Sequence, residues 1–572
     1  MSTEELNGAA AEVIPGGAPA KKVIDPKSRH AKLKLTDDGR PATLLELGDE
    51  RATLTNSERL KIEKPGPQVW KDVIDRYASQ GFDAIDADDF ERFKWIGLYQ
   101  QKPKDGYFML RMKINGGQVT NDQFRVIAGL ARDYGRGIAD ITTRQTFQMH
   151  WLKVEQMPDF MDRLGRVGLG VLAGLYGACG DICRNIVSSP LAGFDLLEKL
   201  DPRPLVDEAS AYFSSNPEYA DLPRKFKVGI FGYRSSGQCE INCLSFYGVQ
   251  NTDGEVGYGV TIGGGLSTEP HLAQDMNVFV RANKVMEVME GVTAMYRDHG
   301  YRKSRKHARL KYLVADWGIE KTRSVLEEQY LKYKLRDGEA QETFKGYEDS
   351  LGVVPQKGGE LSAIGVPVIA GRMTADQMDE VADIAQEFGT GDIRLTVMQN
   401  FVIINIPNDK IEAVKARLEA IDLPIEVSAV RRGVVACTGI EFCNLAVTET
   451  KARAKNLVNL LDEGVQWNDS EYFRINVNGC PNSCGQHWIA DVGLQGCTKK
   501  IDGQLVEHYD VFLGGGLGTG ATFNKRIKRL PAEEVSGAIQ KLIGHYQSNK
   551  QGSESFKDFC NRHEPEELEL LF

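Results

Sequence analysis

The chain has 572 residues, of which 41% are hydrophobic and 26% are charged, and its formal net charge is −10. This composition is typical of a globular protein of about three or four domains, and the negative charge argues against nucleic acid or an anionic membrane as a partner. No apolar stretch reaches the length of a membrane-spanning helix, and the N-terminus lacks the basic and apolar segments of a signal peptide. With ten cysteines, this pattern favours a reducing cytoplasm and metal or redox roles for the thiols rather than disulfides.

The first segment, residues 1–65, mixes Gly, Pro, Lys and Asp with few apolar positions. This composition predicts a partly disordered or wrapping arm. A globular region is expected to begin near Trp70.

A gapless internal repeat follows the arm. The segment that begins at Val119 resembles the segment that begins at Arg372, and each predicts an amphipathic helix, a Gly-containing turn and a strand that leads into a polar loop. Identical residues recur at a constant offset: Thr120, Gln123, Gly137, Thr142, Gln145 and Phe147 return as Thr374, Gln377, Gly391, Thr396, Gln399 and Phe401. The chain is therefore predicted to contain two fused copies of one α+β unit, related by a pseudo-two-fold axis that creates a central cleft.

Three shorter pairs of segments extend the repeat in a looser register. The pairs are PRKFKV from Pro223 with YFRINV from Tyr472, ACGDICRN from Ala178 with ACTGIEFCN from Ala436, and TIGGGLS from Thr261 with FLGGGLG from Phe512. On this alignment, the cysteine-bearing loops of the second copy correspond to cation-bearing loops of the first.

The first copy carries a concentrated set of cations, although the protein is acidic. They comprise Arg111 and Lys113 on a predicted strand, Arg144, Arg184, Arg224, Lys225, Lys227 and six Lys or Arg residues within 302–311. The alternation in Lys225-Phe226-Lys227 predicts both ammonium groups on one face of a strand. Taken singly, the 302–311 cluster is open to interpretation as a solvated helix or a nucleic-acid patch, and Arg111 or Lys227 as half of a surface ion pair. Taken together, these cations predict a highly anionic ligand.

Four cysteines near the C-terminal end form the pattern C-x5-C, a long gap, and C-x3-C: Cys437, Cys443, Cys480 and Cys484. Four thiolates on two loops suit an iron–sulfur cube, because iron prefers soft sulfur ligands in tetrahedral geometry. A structural zinc site is the alternative, although the cysteine pairs of zinc sites usually stand closer in sequence. Two more C-x3-C pairs, Cys179 with Cys183 and Cys239 with Cys243, predict either a second metal site or buried inert thiols.

The cysteine pattern with NGCPNSCG, together with TTRQTFQMH, RNIVSSP, LPRKFKV and GGGLS, resembles the sirohaem-dependent sulfite and nitrite reductases. The resemblance runs from about residue 65 to the end of the chain and is strongest to the haemoprotein (beta) subunit of assimilatory sulfite reductases. It implies an α+β fold built as a two-fold pseudo-symmetric duplication. Ferredoxin-like half domains are expected at 66–165 and 346–425, a sirohaem and substrate domain at 166–345, and a [4Fe–4S] and sirohaem domain at 426–572.

The resemblance also implies a role for each group of candidate residues. The [4Fe–4S] cube is bound by Cys437, Cys443, Cys480 and Cys484, and the Cys484 thiolate is shared with the sirohaem iron. The sirohaem carboxylates are met by Arg144, Gln145, Arg305, Lys306, Arg309 and Lys311. The oxyanion is met by two arginine clamps and two proton-relay lysines, namely Arg111, Arg184, Lys225 and Lys227. Some relatives carry a thioether between a Tyr and a Cys near the haem, and the matching positions here are Tyr99 and Cys179.

The implied reaction is the six-electron reduction of sulfite to sulfide in assimilatory sulfur metabolism, with ferredoxin-dependent nitrite reduction as the alternative. Lys227 favours sulfite, because relatives that favour nitrite carry Asn there and a second cation suits a dianion. The electron donor is expected to be a ferredoxin or a diflavin reductase subunit, since the chain has no dinucleotide-binding glycine motif. An acidic ferredoxin would dock on the basic NKRIKR segment from Asn524, which is alternatively a solvated helix face. A flavoprotein subunit would instead dock on the N-terminal arm. A non-catalytic, zinc-stabilised anion-binding protein is the competing class.

Overall fold

The structure, a computed structural model, describes residues 55–339, 343–467 and 472–572. In these ranges the strands form five sheets, of which four carry the architecture and one is a two-stranded ribbon. Within the same ranges, no helix combines the length and the apolar composition needed to cross a bilayer.

Short helices open the described chain: α1 (Asn56–Glu63), α2 (Val69–Asp72), α3 (Ala78–Gln80) and α4 (Ala87–Arg92). A threonine N-cap starts α1, because its side chain accepts a hydrogen bond from the amide three residues later. Glu58 of this helix is buried and pairs with Lys61 at 2.7 Å and with Arg302 at 2.8 Å. The expectation that folded structure begins near Trp70 is therefore wrong, and the rest of the predicted arm, residues 1–54, lies outside the described residues.

The first ferredoxin-like half contributes five strands and two longer helices. They are β1 (Leu98–Gln100), β2 (Phe108–Arg111), β3 (Gln118–Thr120), α5 (Asn121–Tyr134), β4 (Ile138–Ile141), β5 (Phe147–Leu152) and α6 (Met157–Arg166). Helix α5 is amphipathic and buries Phe124, Ile127 and Leu130 in the core that it shares with the strands.

The segment between the two halves forms a four-stranded sheet, a two-stranded ribbon and three long helices. Its elements are α7 (Arg203–Ser215), β6 (Val228–Phe231), β7 (Leu244–Gln250), β8 (Val256–Ile262), β9 (Gln274–Asp275), β10 (Val278–Phe279), α8 (Val285–His299), α9 (Leu310–Val325) and β11 (Arg336–Asp337). Strands β6 and β7 are parallel, and β8 and β9 continue the sheet antiparallel. Parallel bridges from Cys183 to Phe226 and from Val187 to Gly229 add the preceding stretch of chain to the edge of this sheet.

The second half repeats the first with β12 (Gly352–Pro355), β13 (Leu361–Val366), β14 (Arg372–Thr374), α10 (Ala375–Phe388), β15 (Asp392–Leu395), β16 (Phe401–Pro407) and α11 (Ile411–Ala420). Each half lends one strand to the other, since β14 pairs with β4 and β3 pairs with β15. The halves also share one hydrophobic core, in which the Phe124 ring lies 5.5 Å from Phe147 and 6.4 Å from Phe401. The two ferredoxin-like halves therefore form a single unit.

The last part of the chain forms a five-stranded sheet packed with helices. Its elements are α12 (Ala429–Gly433), β17 (Val434–Ala436), α13 (Lys451–Gly464), β18 (Ile475–Asn478), β19 (Val492–Ile501), β20 (Gln504–Leu513), β21 (Lys525–Pro531), α14 (Val535–Asn549), α15 (Phe556–Asn561) and α16 (Pro565–Glu569). Strands β17, β18 and β19 are parallel, and β20 and β21 complete the sheet antiparallel. Strands β18 to β21 repeat the order of β6 to β9, and β17 takes the place of the bridged stretch that precedes β6.

The gapless repeat is confirmed by what its residues do. Thr120 starts α5 and Thr374 starts α10, each in a capping box that Gln123 or Gln377 completes. In both boxes the Gln side chain also donates to a backbone carbonyl 44 residues further on, at 2.9 Å. Identical residues at the same offset therefore perform identical structural tasks, as a duplication predicts.

A pair of glutamines braces the two halves. Gln145 has φ 53° and donates to the Leu395 carbonyl at 2.8 Å, while Gln399 has φ 66° and donates to the Ile141 carbonyl at 2.9 Å. The Gln145 amide also donates to and accepts from the backbone of Ser188, and the side chain is fully buried. These bonds engage both its amide nitrogen and its amide oxygen. We therefore assign Gln145 to the frame of the fold rather than to a contact with a cofactor carboxylate.

The match of ACGDICRN with ACTGIEFCN is wrong, and the match of PRKFKV with YFRINV is shifted by two residues, because Val187 bridges Gly229 where Val435 pairs with Asn476. The backbone N–H of Ser188 donates to Gln145, and the backbone N–H of Ala436 donates to Gln399, each at 2.9 Å. Ala436 is therefore equivalent to Ser188 and not to Ala178. The short cysteine motifs misled the alignment, because Cys179 precedes and Cys183 begins the edge stretch that ends near Ser188, whereas Cys437 and Cys443 follow β17.

Candidate active site

The cysteine loops follow two adjacent parallel strands. Cys437 directly follows β17, and Cys480 lies just beyond the end of β18, so both loops leave the same edge of the sheet. The Cys437 N–H donates to the Val477 carbonyl at 3.0 Å, and the Gly479 N–H donates to the Cys437 sulfur at 3.2 Å. The fold thus brings the two predicted pairs of thiols together.

Each of these thiols lies within electrostatic range of others in the set. Burial and the Cys484 sulfur raise the pKa of Cys437 to about 12, and burial, with Cys484 and Cys443, raises the pKa of Cys480. Thiolates on two adjacent loops are soft ligands, which suit the iron of a cluster.

Lys225 and Lys227 are half-buried on one face of the chain, while Phe226 between them is fully buried against the Tyr296 ring at 5.7 Å. The predicted alternation is confirmed. Burial, with Arg309 nearby, lowers the pKa of Lys225 to about 7, and burial and Lys225 lower the pKa of Lys227 well below its usual value. Among the described residues, neither ammonium group has a hydrogen-bond or ion-pair partner, so both are available to an anion.

The two candidate clamps approach from different loops. Arg111, at the end of β2, donates to the Cys179 sulfur at 3.4 Å and to Gln148 at 3.0 Å. Arg184 is held by the Gly180 carbonyl at 2.8 Å. Burial opposes ionisation of the Cys179 thiol, but Arg111 and Arg184 outweigh it and lower its pKa.

Cys484 connects the thiol set with the cation set. Its sulfur acts on the pKa of Cys437 on one side and on those of Lys225 and Arg111 on the other. Its backbone carbonyl accepts a hydrogen bond from the Thr143 hydroxyl at 3.0 Å. A sulfur in this position suits the shared ligand that the sequence predicts.

A second group of cations lies around the GGGLS loop. Arg309 is buried and donates one N–H to the Leu266 carbonyl at 2.8 Å, while its Nε and Nη2 have no partner among the described residues. Lys311 donates to the same carbonyl, and burial and Arg309 lower its pKa to about 8. A Cβ on Gly265 would lie 2.4 Å from Arg309 Nη2, so the glycine admits the guanidinium. The loop match is confirmed, because Gly265 forms the same bridge as Gly516.

The remaining predicted cofactor contacts differ in how much charge they offer. Arg144 donates to Asn242 at 2.6 Å and to the Asn185 carbonyl at 2.7 Å, which leaves its buried Nε without a partner in the described chain. Arg305 is bidentate to Asp181, at 2.8 and 3.0 Å, and Lys306 is exposed. Unpartnered guanidinium N–H groups beside desolvated lysines fit a ligand that carries several carboxylates.

Sequence reasoning missed Gln148 as a link between the two loop systems. Gln148 lies opposite Arg111 in the register of β2 and β5, accepts from Arg111, and donates to Thr438 of the first cysteine loop at 2.7 Å. Its side chain therefore couples a predicted clamp to the loop that carries Cys437. The signal was its place in TTRQTFQMH, but strand register is not readable from one sequence.

A duplicated α+β fold that brings four thiols on two loops close to a group of desolvated cations is the arrangement of a reductase of small oxyanions. The chain belongs to the nitrite and sulphite reductase family. The 4Fe-4S domain of that family matches residues 179–335 and 428–569, and its ferredoxin-like half domain matches residues 99–167 and 354–421. The cofactors are sirohaem and a [4Fe–4S] cluster, which the residues described above fit.

Curated relatives and a solved structure align over nearly the whole chain. Sulfite reductase (ferredoxin) 1 of Mycolicibacterium paratuberculosis is 38% identical over 91% of this chain and 97% of its own. Assimilatory ferredoxin-dependent nitrite reductase of Haloferax mediterranei is 35% identical over 90% of this chain and 92% of its own. The structure of the Mycobacterium tuberculosis NirA protein superposes with a TM-score of 0.86 at 37% identity, over 93% of this chain and all of that one.

The pair Tyr99 and Cys179 gives a testable prediction. The Tyr99 hydroxyl is a hydrogen-bond partner of the Cys179 thiol, and burial and Cys179 raise the pKa of Tyr99. We expect aerobically produced protein to contain a thioether between them, seen by mass spectrometry as a linked peptide pair lighter by two hydrogens. Cys183→Ser is the matched control and should keep the link. Recovery of only separate peptides carrying Tyr99 and Cys179 would contradict the prediction.

Proposed function

We propose that the chain catalyses the six-electron reduction of sulfite to sulfide in assimilatory sulfur metabolism. The observation that carries the proposal is the pair Lys225 and Lys227, two desolvated ammonium groups side by side that have no acidic partner within the described ranges. Such a pair suits a dianion better than a monoanion. The sirohaem and the cluster, when bound, supply iron for the anion and the electrons for its reduction.

The surrounding residues orient the anion, supply protons and hold the cofactors. Arg111 and Arg184 orient the anion, because guanidinium groups keep their charge and present a rigid set of donors. Lys225 and Lys227 hold the protons that each cleaved S–O bond requires, since a lowered pKa eases proton release near neutral pH. Cys437, Cys443, Cys480 and Cys484 would hold the cluster, and Cys484 would also be the residue whose sulfur meets the sirohaem.

We propose a ferredoxin as the electron donor and the cytoplasm as the compartment. Relatives named as ferredoxin-dependent sulfite reductases support the donor. None of the ten cysteines, all of which lie in the described ranges, forms a disulfide, which is typical of a reducing compartment. Nitrite is the second candidate substrate, favoured by the relatives named as nitrite reductases.

The test is steady-state turnover of sulfite and of nitrite by the holoenzyme, with reduced methyl viologen and with reduced ferredoxin as separate donors. We expect a higher kcat/KM for sulfite than for nitrite with either donor. A preference for nitrite would replace the proposed substrate with the second candidate, and sulfite turnover supported by viologen but not by any ferredoxin would redirect the donor toward a diflavin reductase.

Lys225 gives a prediction about pH. A Lys whose pKa is lowered to about 7 loses its proton as pH rises through that value. Proton donation by Lys225 should therefore fail at alkaline pH. Bound anions raise the pKa of Lys225 and so shift this failure to a higher pH. Lys225→Arg keeps the charge at every pH but cannot donate readily, and we expect kcat to fall about 10- to 100-fold with KM for sulfite little changed. The alkaline limb of the kcat profile that Lys225 causes should also disappear.

The exposed Lys500→Arg variant on β19, outside the candidate site, is the matched control for this measurement and should retain both kcat and the shape of the profile. If Lys225→Arg gave a wild-type rate and profile, Lys225 would serve only as a fixed charge.

A further inference from the structure

The loop after Cys443 presents two apolar side chains to solvent. Leu445 is 66% exposed and Val447 is 37% exposed. The Leu445 N–H donates to the Cys443 sulfur at 3.4 Å, and the Val447 N–H donates to the Gly479 carbonyl at 2.9 Å. This loop is thus fixed against both cysteine loops, and its exposed leucine lies one hydrogen bond from a ligand of the cluster.

Aromatic rings extend this surface away from the cysteines. Phe442 packs edge-to-face on Trp151 at 5.3 Å, and Trp151 packs edge-to-face on Tyr107 at 5.3 Å. Two exposed cations cover these rings, since Arg136 lies 3.5 Å from the centre of Trp151 and Lys153 lies 5.7 Å from the centre of Tyr107. The cations are therefore held in place beside the apolar side chains.

Two more lysines border the same loop. Lys102 donates its backbone N–H to the Phe442 carbonyl at 2.9 Å and its ammonium to the Ala446 carbonyl at 3.2 Å, and Lys104 is exposed. The exposed acids beside them are Asp105 and Glu441, and Glu441 is paired with Arg372 at 2.9 Å. The four cations therefore outnumber the acids on this surface. The surface, called here the Leu445 patch, consists of Leu445, Val447, Lys102, Lys104, Arg136 and Lys153.

The basic segment NKRIKR offers less free charge. It forms part of the edge strand β21 and not a helix, so the helix interpretation is wrong. Arg526 and Arg529 both pair with Asp510, at 2.7 and 2.8 Å, and Lys528 donates to the Phe572 carbonyl at 3.3 Å. Much of the charge that the sequence shows in this segment is therefore satisfied within the chain.

We propose that the Leu445 patch docks the electron donor, an acidic iron–sulfur protein of the ferredoxin class, and this rests on the proposed function. A reduced donor bound here would lose one electron in each encounter to a cluster held by Cys437, Cys443, Cys480 and Cys484. The cations steer an acidic partner, and Leu445 and Val447 exclude water at the point nearest Cys443. Because the whole chain carries a net charge of −10, a local positive surface distinguishes this docking site from the rest of the protein for an acidic partner.

The test uses the holoenzyme with an acidic plant-type [2Fe–2S] ferredoxin. For the variant Leu445→Glu with Lys104→Glu, we expect the KM for reduced ferredoxin to rise about 10-fold or more, with turnover on reduced methyl viologen within about two-fold of wild type. Lys104→Glu alone, at an exposed position, should raise the ferredoxin KM by a smaller factor. The difference in ferredoxin KM between the wild type and the patch variants should become smaller as ionic strength rises, because salt screens the surface charges.

The matched control is Lys525→Glu with Lys528→Glu on β21. This variant changes the charge by more than Leu445→Glu with Lys104→Glu does, and it should leave the ferredoxin KM unchanged. A ferredoxin KM that responds to the β21 variant and not to the Leu445 patch variants would overturn the proposal. Calorimetric binding of oxidised ferredoxin to the same variants separates docking from catalysis. Binding weakened at the patch in an enzyme that does not reduce sulfite would reject the proposed function and keep the docking surface.

Discussion

The Cys484→Ser variant is expected to lose its iron–sulfur cluster, its cofactor coupling and its sulfite reduction together. Cys484 is the one thiol of the set that acts electrostatically both on other cysteines and on Lys225 and Arg111. Serine supplies a harder oxygen ligand with a higher pKa, which iron in a sulfide cluster accepts poorly. A loss of about 10³-fold in turnover or more, equivalent to about 4 kcal/mol of transition-state stabilisation, is expected.

Iron and acid-labile sulfide content, together with the visible spectrum of the purified protein, measure this effect. Cys497→Ser is the matched control, because Cys497 is a half-buried free thiol on β19 outside the candidate site. The control should keep full iron content and colour. An intact coupled spectrum in Cys484→Ser would show that the sulfur shared by the cofactors comes from another residue.

The duplication was predictable because its identical residues perform the same structural tasks. The caps at Thr120 and Thr374 and the braces at Gln145 and Gln399 depend on local spacing, which a gapless repeat preserves. The exchange of strands between the halves was not predictable, since pairing of β3 with β15 joins residues more than 250 positions apart. Nothing in the spacing of one sequence specifies such a partner.

The candidate site was predictable where chemistry fixes the residue type and unpredictable where packing fixes the partner. Thiols on two loops and alternating lysines signal their roles through composition and period. Nothing in the sequence distinguishes Gln145 from any other loop glutamine. Only the structure shows that its side-chain amide is hydrogen-bonded to the backbone of Leu395 and Ser188. In the same way, the bidentate bond of Arg305 to Asp181 joins residues 124 positions apart in the chain.

Helix α1 illustrates a prediction that composition misled. Its polar sequence suggested an arm, but Glu58 and Lys61 are buried in a network with Arg302 and Asp181. Buried charges of this kind need partners that lie far away in sequence. The same network holds the loop that carries Arg305, so the start of the described chain helps to position the basic loop of the candidate site.

Substrate preference gives the second large expected effect. Lys227→Asn should lower kcat/KM for sulfite about 10- to 100-fold more than kcat/KM for nitrite. The two anions differ by about one unit of charge, and a unit charge about 4 Å away contributes roughly 4 kcal/mol at an effective dielectric constant of about 20. Lys225 and the neighbouring arginines retain part of that attraction, so about 1.4 to 2.8 kcal/mol of discrimination is expected from the one lysine.

Steady-state turnover of both anions with reduced methyl viologen measures this ratio without involving the protein donor. Lys227→Arg should keep the preference for sulfite because it keeps the charge, even where it slows proton transfer. Lys500→Asn, which removes an exposed cation on β19 outside the candidate site, should leave the ratio unchanged. Equal losses on sulfite and nitrite in Lys227→Asn would mean that Lys227 positions both anions alike, and the preference for a dianion would then have to come from Lys225 and the two clamps.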